Sequence, residues 1–319
     1  MRIGLVVDAT CDLPHEFLRD NDIRVLPIHL HIGDELVIDR RIPDTMGTFL
    51  QRVQAGGLPE SHTSPVGAEQ LQPWILEELV ERYDLVYCMT VAAARSGIYE
   101  QAAQAATTVM PKAQSQREAA GQSGDFTLRV IDSETAFSGQ GVLAAEAVRL
   151  LKAGAHPNAI RTMLEKLRSQ IGVYLVPNDL DRLRSEALKK GDNRKGAAIW
   201  LKGAALGLGS MLDVKPLVEL RNGVEKVHVG GKGFAKAADK LFKFLAERVD
   251  SATLEAPHLC ISYAGDMQDL KQMPAFQALE ALCPKRGVSL YLAPLSMTGM
   301  INLGAGALAA AFAGANDGL

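Results

Sequence analysis

Residues 1–35 constrain the fold of this chain more than any other stretch. An apolar run, Ile3-Gly-Leu-Val-Val7, opens directly into a loop rich in acids and hydroxyls, Asp8-Ala-Thr10-Cys-Asp12. A helix is expected to start near Pro14, and a second strand follows that carries a proline, Val25-Leu-Pro27-Ile28, and runs on through His29 and His31. A strand, a polar loop, a helix and a strand in that order are the opening of an α/β sheet.

The alternation continues. Helices are expected near 45–55 and 67–82, a strand at 85–89, a helix at 97–109, a strand at 128–131, and helices at 140–153 and 157–169, the last as a bridge between domains. The polar stretch 111–125 reads as a mobile surface insertion, and Asp132-Ser-Glu-Thr135 as a loop capping the helix that follows. The second half is more β-like, with strands at 172–176, 214–220 and 224–229. The last two flank Arg221-Asn222-Gly223, and Asn-Gly between two such runs is a strong hairpin signal. Helices at 234–248 and 267–282 and strands at 259–263 and 288–292 complete it. The expected architecture is α/β with two domains, a parallel-sheet domain at 1–165 and an α+β domain at 166–319.

Composition removes several classes of function. At 319 residues and 47% apolar content, two cores of ordinary size are possible. With 34 Lys+Arg against 37 Asp+Glu the net charge is −3, and 5% aromatics leave few stacking platforms, so nucleic acid is not an expected partner. Cys11, Cys88, Cys260 and Cys283 form no Cys-x-x-Cys pair and are expected to be buried thiols. The start shows no secretory leader and the Ala/Gly tract 304–315 is too short for a membrane span, so a cytoplasmic chain without stable membrane insertion is expected. Neither an α/β-hydrolase elbow, nor a zinc-protease helix, nor a P-loop is present. His29 and His31 share a strand face but have no nearby third ligand in sequence, so no metal or other cofactor is expected.

Five segments carry a resemblance. His62-Thr63-Ser64-Pro65 precedes a helix, and hydroxyls there read either as caps or as donors to a carboxylate. Arg95-Ser96-Gly97-Ile-Tyr99 joins a strand to a helix, with Arg95 either solvated or aimed at an anion. Val176-Pro-Asn-Asp179 leads to a charged stretch at 182–195, read either as a partner-docking loop or as a solvated insertion. Gly209-Ser-Met-Leu212-Asp-Val-Lys215-Pro216 and Asn302-Leu-Gly304-Ala-Gly306 follow. In this order, over essentially the whole chain, these segments resemble the DegV family.

That resemblance implies a fatty acid held between the two domains, its carboxylate bonded by the threonine at position 63. Ligand residues on this reading are Thr63, Ser64, Arg95, Ser96, Gly97 and Asn302. It departs from the family where paired serines become Ala92 and Ala93, and where a histidine becomes Asn302. It further implies a non-catalytic carrier that presents a long-chain fatty acid to a partner fatty-acid kinase. The alternative is an enzyme or sensor on the same fold that binds a different small anion, which the lost serine and histidine would suit.

Overall fold

The computed structural model describes residues 1–58, 60–178 and 214–315. The charged stretch 182–195 and the segment 209–213 lie outside the described residues, as does Asp179. Strands β1 (Ile3–Asp8), β2 (Ile23–Leu26), β6 (Leu85–Thr90) and β7 (Thr127–Asp132) form a parallel sheet in the order β2-β1-β6-β7. Their apolar runs are nearly continuous because helices cover the sheet. Strand order reverses between β1 and β6, so the two connections leave the carboxyl ends of these neighbours in opposite directions. Such a switch point is the place where open α/β sheets bind ligands.

The proline-bearing second strand is two strands. Pro27 has no N–H to give a ladder, and the chain changes sheets across it. Before it lies β2; after it β3 (Ile28–Ile32) pairs antiparallel with β4 (Glu35–Asp39) and with β5 (Ser61–Pro65) in a separate three-stranded sheet ordered β4-β3-β5.

Helices α1 (His15–Asp20), α2 (Pro43–Gln54), α3 (Ala68–Ile75, continued by a π turn at Leu76–Val80), α4 (Ile98–Ala119), α5 (Ser138–Lys152) and α6 (Pro157–Arg168) fill the connections. Helix α4 corrects the surface insertion expected at 111–125: it runs through Pro111 to Ala119. Its far end is anchored by Arg117, which is 1% exposed and donates to the carbonyls of Val80, Tyr83 and Gly124 and to Asp84. Four bonds from one buried guanidinium outweigh the single helical bond that Pro111 removes. The stretch Asp132–Thr135 does not cap α5, whose N-cap is Phe137 with no side-chain bond. Asp132 instead folds its own loop, accepting from Glu134 N and Ala93 N.

The remaining strands, β8 (Ile171–Val176), β9 (Val214–Arg221), β10 (Val224–Lys232), β11 (Leu254–Tyr263), β12 (Ser289–Pro294) and β13 (Leu308–Gly314), make a six-stranded mixed sheet ordered β10-β9-β8-β13-β11-β12. Asn222 and Gly223, at φ 50° and 69°, form the expected hairpin turn. The small-residue tract is β13, buried along its whole length in the interior of this sheet. Helix α7 (Gly233–Asp250) covers it, α8 (Met267–Lys271) and α9 (Pro274–Leu282) break at Pro274 where one helix was expected, and α10 (Met297–Leu303) follows β12. All four cysteines are buried and unpaired. Among the described residues no helix is long and apolar enough to cross a membrane.

Candidate functional site

The carboxyl ends of β1 and β6 are joined through Asp8, whose carboxylate accepts from Val91 N at 2.5 Å and Thr10 N at 2.9 Å. Thr10 Oγ1 lies 2.6 Å from Asp8 Oδ1 and 2.9 Å from Gln140 Oε1, and Gln140 is oriented by its own bond to Met89 O. One hydroxyl proton cannot serve both acceptors. Burial pushes the Asp8 carboxyl above its usual range, against the bonds it accepts from Thr10 and Val91 N.

Four residues further on, Asp12 ties this edge to the second half of the chain. It is fully buried and accepts from Ser262 Oγ at 2.6 Å, Ser296 N at 2.9 Å and Arg41 Nη1 at 2.9 Å. Desolvation pushes its carboxyl up to about 6, against the pull of the Arg41 cation. Arg41 also donates to Leu13 O and Pro294 O. Its backbone is left-handed, at φ 55°, a conformation that is costly for a side chain with a Cβ and is held by these bonds. Asp39 completes the set: it accepts from Arg41 N, Thr298 N and Thr298 Oγ1, and burial raises its carboxyl too. Arg41 thus holds both carboxylates, Asp12 through its guanidinium and Asp39 through its main-chain N–H, in a dry seam between β1, β4, β11 and α10. Sequence reasoning saw the acids of residues 8–12 but assigned them no role. Arg41, Asp39, Ser262 and Thr298 carried no motif, and Ser262 in an apolar strand was the one available signal.

The six residues expected to bind a ligand lie shallower. Thr63 and Ser64 sit within β5, not at a helix start; α3 begins at Ala68. As strand neighbours they point to opposite faces. Thr63 is opposite Leu30, on the face shared with Asp39, which meets Thr298 of α10. It is half-buried, and its hydroxyl has no hydrogen-bond partner among the described residues. Ser64 is on the other face, where its hydroxyl meets His31 Nε2 at 2.8 Å. This parity corrects the expectation that both hydroxyls serve one headgroup.

Ser96 and Gly97 bring the β6–α4 turn to the same place. Ser96 N bonds Ala92 O, Gly97 caps α4, and a Cβ on Gly97 would lie 3.6 Å from Pro65 Cγ. Arg95 is turned away from a ligand role: its guanidinium pairs with Glu225 of β10. Asn302 is on α10, four residues after Thr298 and hence on the same helix face. Its Nδ2 donates to Thr298 O at 2.7 Å, which leaves one amide hydrogen and the carbonyl oxygen for other partners. The structure therefore brings Gly97 against Pro65, two residues after Thr63 on the same strand, and places Asn302 on α10.

His29 and His31 do share a face, joined by His62, whose ring stacks on His31 at 4.5 Å. Among the described residues no group of three or more His, Cys, Asp or Glu side chains is arranged to hold a metal ion.

A family-level comparison matches residues 2–315 to the family described as "Uncharacterised protein, DegV family". The chain belongs to the DegV family. A DegV domain-containing protein of Xanthomonas campestris is 41% identical over 313 residues, 98% of each chain. Among solved structures, a DegV lipid binding protein from Thermotoga maritima superposes at TM-score 0.73 with 20% identity, covering 98% of this chain and 99% of that one. DegV of Bacillus subtilis, described as a fatty acid binding protein, gives 0.71 at 22% identity, covering 99% and 100%. At these identities the structural neighbours establish the DegV fold, with its parallel-sheet N-terminal region and sheet-rich C-terminal region.

Proposed function

We propose that this DegV-family chain binds one long-chain fatty acid between its two domains, taken as residues 1–165 and 166–319, and presents the carboxylate to a partner fatty-acid kinase without catalysing a reaction itself. The observation that carries this reading is the Thr63 hydroxyl, without a hydrogen-bond partner among the described residues, on the sheet face shared with Asp39 and two residues before Pro65, which lies against Gly97. Burying about fourteen methylenes brings on the order of 11 kcal/mol gross. A carboxylate entering the same space needs several donors or a proton. Thr63 Oγ1 and the remaining Asn302 amide hydrogen are donors of the right kind. The structural neighbours described as lipid or fatty acid binding support the same ligand class.

A second reading, an enzyme or sensor for a different small anion, is favoured by one specific feature. Asn302 stands where the family has a titratable histidine and already spends one donor on Thr298. Extraction of the purified protein with organic solvent, followed by mass spectrometry, separates the two. The carrier reading expects close to one long-chain acid per chain and a rise in melting temperature when such acids are added back. Recovery of far less than one acid, with no thermal shift from any of them, moves the anion sensor ahead.

A further inference from the structure

Strand β4 is an edge of the three-stranded sheet, and its outer side is open. The two-residue turn Gly33-Asp34, with Gly33 at φ 56°, makes Ile32 and Glu35 a hydrogen-bonded pair. Alternation along an antiparallel ladder then commits the backbone of Glu35, Val37 and Asp39 to β3 and leaves the N–H and C=O groups of Leu36 and Ile38 facing outward. Both side chains are exposed, Leu36 at 54% and Ile38 at 41%. A flat apolar edge of this kind templates the addition of another strand unless something blocks it. Residues 35–38 carry no proline, no lysine and no bulge in the register with β3, and their one charge, Glu35, is paired with Arg52 of α2.

What flanks the edge is self-complementary. Asp34 and Arg40 stand one step outside β4 at its two ends, both exposed and neither ion-paired among the described residues. A two-fold axis at Val37 in an antiparallel pair of β4 strands sets Leu36 opposite Ile38 of a second copy and Asp34 opposite that copy's Arg40. Leu36 and Ile38 are the outward-bonding residues, so this register also forms the hydrogen bonds. It places Glu35 against a second Asp39, but each is already held by its own chain: Glu35 by Arg52 Nη1 at 2.6 Å, Asp39 by its bonds to Arg41 N and Thr298. We infer that the β4 edge is a self-association site, at which two copies join antiparallel about Val37 into one six-stranded sheet, with two Asp34–Arg40 pairs fixing the register.

An isologous contact of this kind closes on itself and gives a dimer, not a fibre. An edge of five residues buries less than the ~1,600 Å² of a standard interface, so the dimer forms weakly and in the upper micromolar range. Sedimentation velocity of the full chain, from micromolar to millimolar concentration, tests it. Wild type is expected to shift from monomer to dimer, and Arg40→Asp, which opposes two like charges, to weaken the dimer by ~10-fold or more. The double exchange Asp34→Arg with Arg40→Asp should restore it. Both positions tested are exposed, and an unchanged melting temperature verifies that the variants fold. A wild type that stays monomeric throughout, or a dimer indifferent to Arg40→Asp, or one not rescued by the double exchange, overturns the inference. So does flotation with anionic phosphatidylglycerol vesicles in place of self-association, which would give the edge to a lipid surface.

Discussion

The buried seam around Asp12 and the shallower rim strand around Thr63, which shares a sheet face with Asp39, are built on opposite principles. In the seam, Asp12, Arg41, Asp39, Ser262 and Thr298 spend their polar groups on one another and on backbone, out of contact with water. At the rim, among the described residues, Thr63 keeps an unspent hydroxyl and Asn302 an unspent amide hydrogen. A network that is fully satisfied is costly to disturb, whereas an exposed donor costs little to leave waiting because water serves it meanwhile. The seam fixes how the two halves of the chain meet.

Arg41→Met breaks the comparison most severely. Removing the cation strands the buried Asp12 carboxylate, while Asp39 keeps its bonds from the Arg41 main chain and Thr298, and breaking a buried pair in this way costs about 3–5 kcal/mol. Denaturant titration should show that loss at neutral pH, with a smaller one at pH 5, where the stranded acid can take up a proton.

The next largest effect is in pH. The folded Asp12 carboxyl titrates near 6, above its unfolded value, so the folded state holds more protons between about pH 4 and 6. Stability from this group is fully present below the unfolded value and is lost as pH rises through 6, on the order of 3 kcal/mol over that window. Glu146 acts in the opposite sense. Burial opposes its ionisation, but bonds from Arg149 and His258 prevail and hold the carboxyl down at about 2. Its contribution is therefore present above pH 4.5 and is lost only as acid approaches pH 2. Thermal melts from pH 2 to 8 should peak near pH 4.5, and Asp12→Asn should make the alkaline side of that peak shallower, with the remaining slope carried by the raised carboxyls of Asp8 and Asp39, while leaving the acid side.

Much of this frame was legible beforehand because it rests on local rules. The strand periods, the Asn222-Gly223 turn and the four buried thiols follow from patterning alone. What was not legible depends on side chains meeting across long sequence separations. Arg117 stabilises a proline-bearing helix through carbonyls more than thirty residues away, and nothing in Pro111 or its neighbours announces that. Arg41 joins Asp12 to Pro294 from a loop with no motif. At the rim, Thr63 and Ser64 were read as a pair because a helix was expected to begin beside them; once that segment is a strand, alternation separates them. Pro27 misled in the same way, since one proline can end a strand and start another in a different sheet.

Two substitutions at the rim sharpen the contrast. A buried hydrogen bond to a charged group is worth about 1.5–3 kcal/mol, so Thr63→Val should weaken fatty-acid binding by roughly 10- to 150-fold, measured by titration with a single acid. Ser64→Ala should change affinity by less than about threefold, because its hydroxyl faces His31 on the far side of β5. Equal losses from both would show that the carboxylate is not anchored from the Thr63 face.

The interior position of β13 has a consequence for the order in which the molecule can be assembled. All four strands of the parallel sheet lie before residue 133, so a growing chain can complete that sheet early. The six-stranded sheet cannot close in the same sequence, because β8 and β11 meet only through Leu308–Gly314, which is made after both. Until then each presents an open edge to the other, and these two edges are the surfaces most exposed to mispairing during synthesis.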